Sequence, residues 1–382
     1  MNLLSKLINN TIARYSVTIS SMAVHMLAIF SLDSESAGIV AFSIYSLVIG
    51  LFAGDCNTVN FYRRHSVLKG QFFLIERSIM ASIIIIILFI TNLGTDVVFL
   101  IAGLIVGLLL PQGRVSNNKT FPQVVFLGGI LKILISGAVC LVISDIFWMQ
   151  ILLATSTGSL YLASIYFQVQ LIDKTSFDWH FRYHMFKSLT YSGLITIPIQ
   201  IYTAVGALIY QNYNAAPNLG NFYQVERLLR GLGGTVLVLQ SSTMYQISSA
   251  GSIYKAMKVT INNIFKYVVY SVAIGTTFAI FGLEILSFFD MNIISINFEN
   301  FIFILLCCFA MYLTNLIGVQ FLSVYKYTKM FILSVTIGAS SFIVSNVYFS
   351  NPVLLISISE LSVAFAQLFI ISLISKSAKN YY

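Results

Sequence analysis

Charged side chains within apolar stretches are the residues of this chain best placed to do chemistry. Glu226, Arg227 and Arg230 lie in the apolar stretch 219–241. Glu360 lies in a second such stretch near the C-terminus. If these stretches cross a membrane, each ionised group at the bilayer centre costs roughly 2.5–3.5 kcal/mol on insertion scales. Such groups therefore face a polar cavity or one another, and a cavity that they line can bind a charged ligand.

The spacing of these residues predicts one helical face with several polar groups. Glu226 and Arg230 are four residues apart and can pair along a helix, and Arg227 is three residues before Arg230. Tyr223 and Gly234 extend the same stripe. Since Glu226 can neutralise only one arginine, we predict a net positive face. Guanidinium groups bind phosphate through two parallel hydrogen bonds, which favours an anionic ligand. In the alternative interpretation, the charges form ion pairs that hold helices together.

Lys132 can contribute to the same site. It lies near the middle of the apolar stretch 124–144, where a charge also needs a polar partner or a cavity. The predicted substrate-binding set is therefore Arg227, Arg230, Lys132 and Tyr223. It requires that several helices bring these side chains together.

Other residues are candidates for coupling and gating. Glu226, Glu360 and His25 can each carry a coupling ion such as a proton. The carboxylates can instead simply pair with the arginines, and His25 can be a packing residue. Pro198 interrupts the apolar stretch 189–210 and bends the helix there. This bend is a candidate gate, or alternatively a static kink.

The composition identifies the class of protein that must position these groups. The chain has 382 residues, of which 58% are hydrophobic and only 9% are charged, with a mean hydropathy of +0.88. A soluble domain carries about 25% charged residues, so the composition predicts a polytopic membrane protein. The net charge of +8 does not indicate a nucleic-acid partner, because the basic residues are distributed among the loops of such a protein. The four cysteines are scattered and no metal-binding spacing occurs, so no disulfide, metal or cofactor is predicted.

Apolar segments of about 20 residues predict an all-α fold with about twelve transmembrane helices. The pair 78–94 and 97–111 is short and closely spaced, and can instead be re-entrant. Asp55, at the end of the second span, is interpreted as a solvated helix end. The predicted spans are 12–31, 36–54, 78–94, 97–111, 124–144, 147–167, 189–210, 219–241, 264–288, 300–321, 328–348 and 353–374.

The basic residues predict the orientation of these helices. All but four of the 21 Lys and Arg residues lie in or beside alternate connecting segments and the two ends. The remaining connecting segments carry acidic residues and no Lys or Arg. Positive charge accumulates on the cytoplasmic side of membrane proteins, so both ends are predicted in the cytoplasm, as for a bacterial inner-membrane protein. The long inner segments are then 55–77, 168–188 and 242–263.

The segment 168–188 divides the chain into two groups of six predicted spans. We predict an N-terminal lobe at 1–167, a cytoplasmic linker at 168–188 and a C-terminal lobe at 189–382. Gly38 and Gly220 occupy similar places in the second helix of each half, which favours a parallel pseudo-repeat. The linker mixes charged and aromatic residues and is predicted to lie on the membrane surface as an amphipathic helix.

Glycines within the apolar stretches predict close helix packing. Gly103 and Gly107 form a G-x-x-x-G motif, and Gly231, Gly233 and Gly234 form a cluster in the eighth span. Small residues at this spacing allow two helix backbones to approach closely in a membrane. We therefore predict that both groups of glycines lie at contacts between helices.

Three short stretches carry a resemblance to a known family. They are SLDSESAGIVAFSIYSL at 31–47, LGNFYQVERLLR at 219–230 and VQFLSVYKYTK at 319–329. With the predicted topology, they resemble the Wzx-type flippases of bacterial polysaccharide synthesis. Those flippases belong to the multidrug/oligosaccharidyl-lipid/polysaccharide (MOP) exporter superfamily. The resemblance covers the whole chain in topology.

This resemblance implies a transporter and not an enzyme. Its substrate would be an undecaprenyl-diphosphate-linked oligosaccharide, such as an O-antigen repeat unit of lipopolysaccharide. Alternating access would move this lipid from the cytoplasmic to the outer leaflet, without a cofactor. The implied partners are this substrate, membrane lipid and other polysaccharide assembly proteins. The family has a cationic central cavity, which Lys132, Arg227 and Arg230 would supply here. This chain departs from the family pattern in that its first half has only Lys132 as an intramembrane cation.

Two alternatives remain at this point. The first is a polytopic membrane enzyme, such as an oligosaccharide polymerase or a lipid-linked glycosyltransferase. The largest predicted outer loop, 289–299, is small and contains neither Arg nor His, which disfavours an enzyme with catalytic groups outside the membrane. The second alternative is a drug or metabolite antiporter of the same superfamily.

Overall fold

A computed structural model describes most of the chain from the second predicted span onward. Every described element is a helix, and no described residue lies in a strand, which confirms the predicted all-α fold. The described residues are 33–56, 73–90, 95–109, 203–213, 216–284, 297–323 and 327–379, with short pieces at 130, 134, 146–147, 150–151, 180, 182–190, 193 and 294.

Ten helices of the described ranges are numbered here in chain order. They are α1 (Ser34–Asp55), α2 (Leu74–Ile90), α3 (Val97–Leu109), α4 (Ala204–Tyr213), α5 (Ala216–Gly234), α6 (Leu237–Ser248), α7 (Ile253–Thr277), α8 (Phe298–Leu313), α9 (Thr328–Tyr348) and α10 (Pro352–Lys379).

Five of the described helices are long and apolar enough to cross a membrane. They are Glu35–Asp55, Ile253–Gly282, Phe298–Leu322, Thr328–Tyr348 and Pro352–Ser375. The predicted second, tenth, eleventh and twelfth spans correspond closely to α1, α8, α9 and α10. The short pair 78–94 and 97–111 forms two separate helices, α2 and α3. The spans 12–31, 124–144 and 147–167 lie outside the described residues or almost so, and the count of twelve stays a prediction.

The chain forms two compact units, Met1–Gly220 and Asn221–Tyr382. The linker predicted at 168–188 lies largely outside the described residues. Its last part, within 182–190, is helical, as an amphipathic surface helix requires. The two-lobe organisation with a linker at 168–188 stays a prediction.

In the first unit, α1 and α3 pack with their backbones in direct contact. A Cβ atom on Gly54 would lie 2.5 Å from the Leu104 carbonyl oxygen, and one on Gly50 would lie 2.7 Å from the Leu104 nitrogen. Gly103 and Gly107 are equally close to the backbone of α1. The packing predicted for Gly103 and Gly107 is therefore confirmed. The same four-residue spacing at Gly50 and Gly54 supplies the other half of the contact, which the sequence prediction does not include.

Aspartates define where α1 and α3 begin. Asp33 precedes α1, and its carboxylate accepts a hydrogen bond of 2.7 Å from the Ser36 backbone N–H. Hydrogen bonds from Ser36 lower the pKa of the Asp33 carboxyl, which lies just outside the span. Asp96 accepts a hydrogen bond from the Phe99 N–H at the start of α3. Both residues satisfy N–H groups that the first turn of a helix leaves without partners.

In the second unit, the long inner segment predicted at 242–263 is largely helical, and its place on the inner side of the membrane stays a prediction. α6 continues to Ser248 and α7 already begins at Ile253. Ser252 starts α7 by accepting a hydrogen bond from the Lys255 N–H. The helices extend beyond the predicted spans because hydropathy identifies only the apolar part of a helix, whereas these helices continue into polar sequence.

The eighth predicted span, 219–241, is interrupted. α5 ends at Gly234, and a turn at Thr235 and Val236 separates it from α6. Gly233 also lies against α8, since a Cβ atom there would come within 2.5 Å of the Met311 sulfur. This glycine therefore marks a close contact, as predicted for the glycine cluster, and it lies where the helix ends.

Two helices of the second unit pass into π-helical segments. α7 continues as Phe278–Gly282, and α8 continues as Thr314–Leu322. In a π-helix the backbone bonds join residues five apart, and such segments are frequent at functional sites. The bond of 3.0 Å from the Ser323 N–H to the Gly318 carbonyl has this spacing.

Candidate functional site

The polar stripe of α5 forms the centre of the candidate site. Tyr223 and Glu226 are buried, and Arg227 and Arg230 are partly buried. All four lie within two turns of α5, so the 3.6-residue period of the helix places them close together on its surface, as predicted. Because α5 contains three charged residues, it is not among the five helices that are apolar enough to cross a membrane.

Arg230 is held between two carboxylates from different helices. Its Nε donates to Glu226 Oε1 at 2.7 Å, one helical turn away. Its Nη1 lies 3.8 Å from Oε1 of Glu360, which comes from α10. Glu226 and Glu360 are almost fully buried, whereas the Arg230 side chain is 27% exposed. The predicted pairing of Glu226 with Arg230 is present, and Glu360 joins the same cluster.

This arrangement changes the charge that the sequence predicts for the site. The sequence suggests net positive charge, because it offers one carboxylate for two arginines. In the structure two carboxylates face Arg230, so Glu226, Glu360, Arg227 and Arg230 sum to zero when all are ionised. Protonation of either carboxylate makes the sum +1.

Arg227 has a different environment from Arg230. Its guanidinium carbon lies 5.2 Å from the centre of the Tyr223 ring, on the ring face. A cation in this position is attracted by roughly 0.5–2 kcal/mol. Tyr223 thus lies against an arginine of the candidate site, and its role in substrate binding stays a prediction.

A cavity of about 210 Å³ lies beside Arg230 and Glu360. Gly233, Met311, Thr314 and Asn315 contribute to its walls. The absence of a side chain at Gly233 leaves space next to Arg230. Thr314 and Asn315 begin the π-helical part of α8, so the change of helical geometry occurs at the wall of the cavity.

A buried polar network adjoins this cavity. Gln320 Nε2 donates to Asn315 Oδ1 and to the Tyr267 hydroxyl, each at 2.8 Å. Thr243 Oγ1 lies 2.7 Å from Gln320 Oε1 and 2.6 Å from the Tyr267 hydroxyl. Thr243, Tyr267 and Gln320 are fully buried. The sequence did not predict this network, because the predicted site residues are mainly charged side chains and the network consists of uncharged polar ones. The amides Asn315 and Gln320 within the apolar stretch 300–321 were the available signal.

The structure brings five of the eight predicted site residues together: Tyr223, Glu226, Arg227, Arg230 and Glu360. Lys132, His25 and Pro198 lie outside the described residues, and their roles stay predictions. Among the residues that the structure describes, no three His, Cys, Asp or Glu side chains are grouped so that they could hold a metal ion.

A second buried cluster lies in the first unit. Arg77 is fully buried, and its Nε donates to the Gly54 carbonyl at 3.0 Å while Nη2 donates to the Gly107 carbonyl. It therefore joins the C-terminal ends of α1 and α3. The interpretation of Asp55 as a solvated helix end is wrong, because Asp55 is 4% exposed. It is covered here, since the ends of α1 and α3 pack around the Arg77 side chain.

Glu76, the neighbour of Arg77, extends this cluster towards the predicted linker. Its Oε1 lies 3.3 Å from Nη1 of Arg182, in the helical segment 182–190. Glu76 is buried, and the Arg182 side chain is 24% exposed. Both of these clusters thus contain an Arg–Glu pair, one beside a cavity and one at the ends of packed helices.

Solved structures with the same arrangement of helices are MOP-superfamily transporters. A multidrug resistance MATE family transporter in an inward-facing conformation matches 97% of this chain and 99% of its own, with 13% identity and a TM-score of 0.63. The chain has the fold of a MOP-superfamily transporter. A MOP transporter from Pyrococcus furiosus, described by a reversed polarity of its binding pocket, matches 98% of this chain and 95% of its own at 13% identity and a TM-score of 0.56.

A MATE structure in complex with MaL6 is also similar to this chain. It matches 98% of this chain and 100% of its own, at 14% identity and a TM-score of 0.54. No protein-family model and no curated protein sequence matches the chain. The MOP resemblance inferred from the sequence is thus confirmed at the level of the fold, which is that of membrane transporters.

Proposed function

We propose that this protein is a flippase for an undecaprenyl-diphosphate-linked oligosaccharide, such as an O-antigen repeat unit. It moves this lipid from the cytoplasmic to the outer leaflet of the bacterial inner membrane by alternating access, without catalysis. The observation that carries the proposal is Arg230, which lines a cavity in a transporter fold and is held there by two carboxylates. In this proposal, the other partners are membrane lipid and further polysaccharide assembly proteins.

The chemistry of the arginines supports a diphosphate ligand. A guanidinium offers several N–H donors in one plane, which match two phosphate oxygens. The cavity of about 210 Å³ is smaller than the roughly 300–1,000 Å³ of pockets that enclose a whole drug-sized ligand. It therefore has room for one part of a headgroup. The remaining sugars and the polyprenyl chain would lie elsewhere.

The two carboxylates supply a means of release. A phosphate that binds Arg230 competes with Glu226 and Glu360 for the same guanidinium. When one carboxylate is protonated, the cluster carries +1 and favours the anion. When both are ionised, Arg230 is neutralised and the anion is displaced. A proton taken up with the anion on the cytoplasmic side and lost on the outer side would thus link binding to release, with Glu226 and Glu360 as coupling residues. In this scheme a higher pH on the outer side favours release.

A drug or metabolite antiporter is the second candidate. It is favoured by the likeness to a multidrug resistance transporter, and two buried carboxylates could also attract an organic cation. In the Pyrococcus furiosus transporter, the reversed polarity of the binding pocket suggests a different function. The sign of the transported group therefore separates the two candidates. An oligosaccharide polymerase or glycosyltransferase has no comparable support.

Transport by reconstituted full-length protein tests the proposal. Vesicles would contain a fluorescent undecaprenyl-diphosphate-linked N-acetylglucosamine, and movement would be measured as protection from a membrane-impermeant quencher. We expect Arg230→Ala to slow movement by about 10–100-fold, because a hydrogen-bonded charge contact is lost. Arg230→Lys should restore it only in part, since an ammonium cannot make two-point bonds to phosphate.

Arg182→Ala is a matched control for this experiment. Arg182 also pairs with a buried glutamate and is similarly exposed, but its pair lies in the other unit. This variant should move the lipid at nearly the wild-type rate. Normal movement by Arg230→Ala would contradict the proposal. Wild-type movement of a fluorescent organic cation, with none of the lipid, would favour the antiporter.

The orientation of the chain is a separate part of the proposal. Cysteines introduced at Asn214 or Asn292 of a cysteine-free variant should react with an impermeant maleimide added outside intact cells. Cysteines introduced at Arg64 or Lys326 should react only after the membrane is opened. The reverse pattern would contradict cytoplasmic ends.

A further inference from the structure

The π-helical continuation of α8 contains a cavity residue, Asn315, to which the proposed function assigns no role. Asn315 contributes to the wall of the cavity, together with Arg230 and Glu360. Its Oδ1 accepts a hydrogen bond from Gln320 Nε2 at 2.8 Å. Its Nδ2 has no hydrogen-bond partner among the described residues. An amide whose acceptor side is occupied in this way offers N–H donors in the remaining directions.

The direction of this amide follows from the network beneath it. The Thr243 hydroxyl lies 2.9 Å from the Leu239 carbonyl and 2.7 Å from Gln320 Oε1, and it donates over the shorter distance to Oε1, which has no hydrogen to give. The Tyr267 hydroxyl then donates to Thr243 and accepts from Gln320 Nε2. This ring leaves the second N–H of Gln320 for Asn315. Only the oxygen of Asn315 can accept it, so the amide group of Asn315 is fixed with Nδ2 away from Gln320.

The π-helical segment makes this pairing possible. Asn315 and Gln320 are five residues apart, and in an α-helix of 3.6 residues per turn such positions point roughly 140° apart. The i→i+5 bonding of a π-helix brings residues of this spacing to one side of the helix. Since Thr314–Leu322 is π-helical, Gln320 can reach back to Asn315. A regular α-helix at this place would separate the two amides.

A neighbouring atom independently indicates a ligand. Thr314 Oγ1 is buried and has no hydrogen-bond partner among the described residues. Thr314 also contributes to the cavity wall, next to Asn315. Buried polar atoms in proteins are nearly always hydrogen-bonded, and exceptions often mark sites where water or a ligand binds. The cavity thus has two adjacent residues with unused hydrogen-bonding capacity.

We propose that Asn315 binds an oxygen acceptor of the transported headgroup beside Arg230, and that Gln320 is the positioning residue that directs its amide. This inference rests on the proposed function and deepens it. Arg230 supplies charge, and Asn315 supplies a directed donor that distinguishes an oxygen-rich headgroup from an equally sized group without acceptors. The acceptor belongs to the diphosphate or to the first sugar, which share this chemistry.

The test uses binding to the purified full-length protein in nanodiscs. Three probes share one polyprenyl chain: a polyprenyl diphosphate, the same diphosphate carrying N-acetylglucosamine, and the neutral polyprenol. Asn315→Asp keeps an oxygen for the Gln320 hydrogen bond but replaces the Nδ2 donor by an oxygen and adds a negative charge, so the uncharged Asn315→Leu, of similar size, must weaken binding as well. The main measurement is made on Asn315→Asp. We expect it to weaken binding of a diphosphate probe by about 10–100-fold relative to the polyprenol. Weakening of both diphosphate probes assigns the acceptor to phosphate, and weakening of the sugar probe alone assigns it to the sugar.

Gln320→Leu tests the positioning role, with Gln367→Leu as a matched control. Both glutamines are fully buried, and Gln367 Nε2 donates to Ser334 Oγ at 3.2 Å in the contact between α9 and α10. Gln320→Leu should lower the ratio of diphosphate to polyprenol affinity, because the Asn315 amide is no longer directed. Gln367→Leu should leave this ratio unchanged even if it lowers the melting temperature.

The outcomes separate this inference from the proposed function. If the wild-type protein binds neither diphosphate probe in preference to the polyprenol, the proposed function fails and the role of Asn315 fails with it. If the wild-type protein shows the preference and Asn315→Asp retains it, only the role of Asn315 is overturned. Should Gln320→Leu not fold, Asn315→Asp still decides the main claim, because its hydrogen bond to Gln320 is preserved.

Discussion

Arg77 and Arg230 both lie on helices, but the described hydrogen bonds hold them in different ways. Arg77 is fully buried and donates to the carbonyl groups of Gly54 and Gly107, which are fixed dipoles at two helix ends. Arg230 is partly exposed and lines a cavity, where it faces two carboxylates. A carbonyl group keeps its hydrogen bond in every state, whereas a carboxylate can release its arginine. From this comparison we expect the first cluster to contribute mainly to stability and the second to take part in the proposed ligand exchange.

Arg77→Met should have the largest effect on stability. The substitution leaves the carbonyl groups at the ends of α1 and α3 without their donor inside the protein. We expect a loss of about 3–5 kcal/mol, as for other broken buried charge contacts, measured as a lower melting temperature and lower abundance in the membrane. Lys255→Met, at an exposed position of α7, should change neither quantity. Normal abundance of Arg77→Met would remove the distinction between the clusters.

Gly54→Ala tests the helix contact that Arg77 joins. The new Cβ atom would meet the Leu104 carbonyl oxygen at 2.5 Å, so α1 and α3 must separate. Overpacking of this kind costs about 1–3 kcal/mol, which should appear as a lower melting temperature. Gly193→Ala is the control, because the nearest atom to its Cβ would be the Met80 methyl carbon at 3.7 Å. Equal melting temperatures for both variants would show that the backbones are not in contact.

Glu226→Gln and Glu360→Gln should have the smallest effect on stability and a specific effect on transport. Either variant removes one negative charge beside Arg230 and leaves the cluster at +1 when the remaining carboxylate is ionised. The diphosphate probe should bind at least as well as to the wild-type protein, but its release should be slow. The transport rate should also lose its dependence on a pH gradient across the vesicle membrane. Unchanged gradient dependence in both variants, as in an exposed control Glu35→Gln, would leave these carboxylates as structural partners of Arg230.

The sequence predicted best what depends on residues close together in the chain. Hydropathy located α9 at 328–348 with the bounds that the structure has, and helical spacing placed Glu226 next to Arg230. The approach of Glu360 to Arg230 was less predictable, because it depends on how α10 packs against its neighbours. For the same reason Arg77, which borders a predicted loop, gave no sign that it is buried.

The buried network was unpredictable for a geometric reason. The pairing of Asn315 with Gln320 joins residues five apart, whereas side chains that meet on an α-helix are three or four residues apart. A change of helical period within one apolar stretch leaves hydropathy unaltered. The three-dimensional structure shows that residues five apart in this segment lie on the same side of the helix.

The π-helical segment Thr314–Leu322 also affects how this protein can be compared with its relatives. A π-helix accommodates more residues per turn than an α-helix, so it is equivalent to an insertion within the helix. A relative with a regular helix at this place would therefore align with this chain only across a gap inside an apolar span. Sequence alignments that forbid gaps within transmembrane helices would pair Gln320 with the wrong residue.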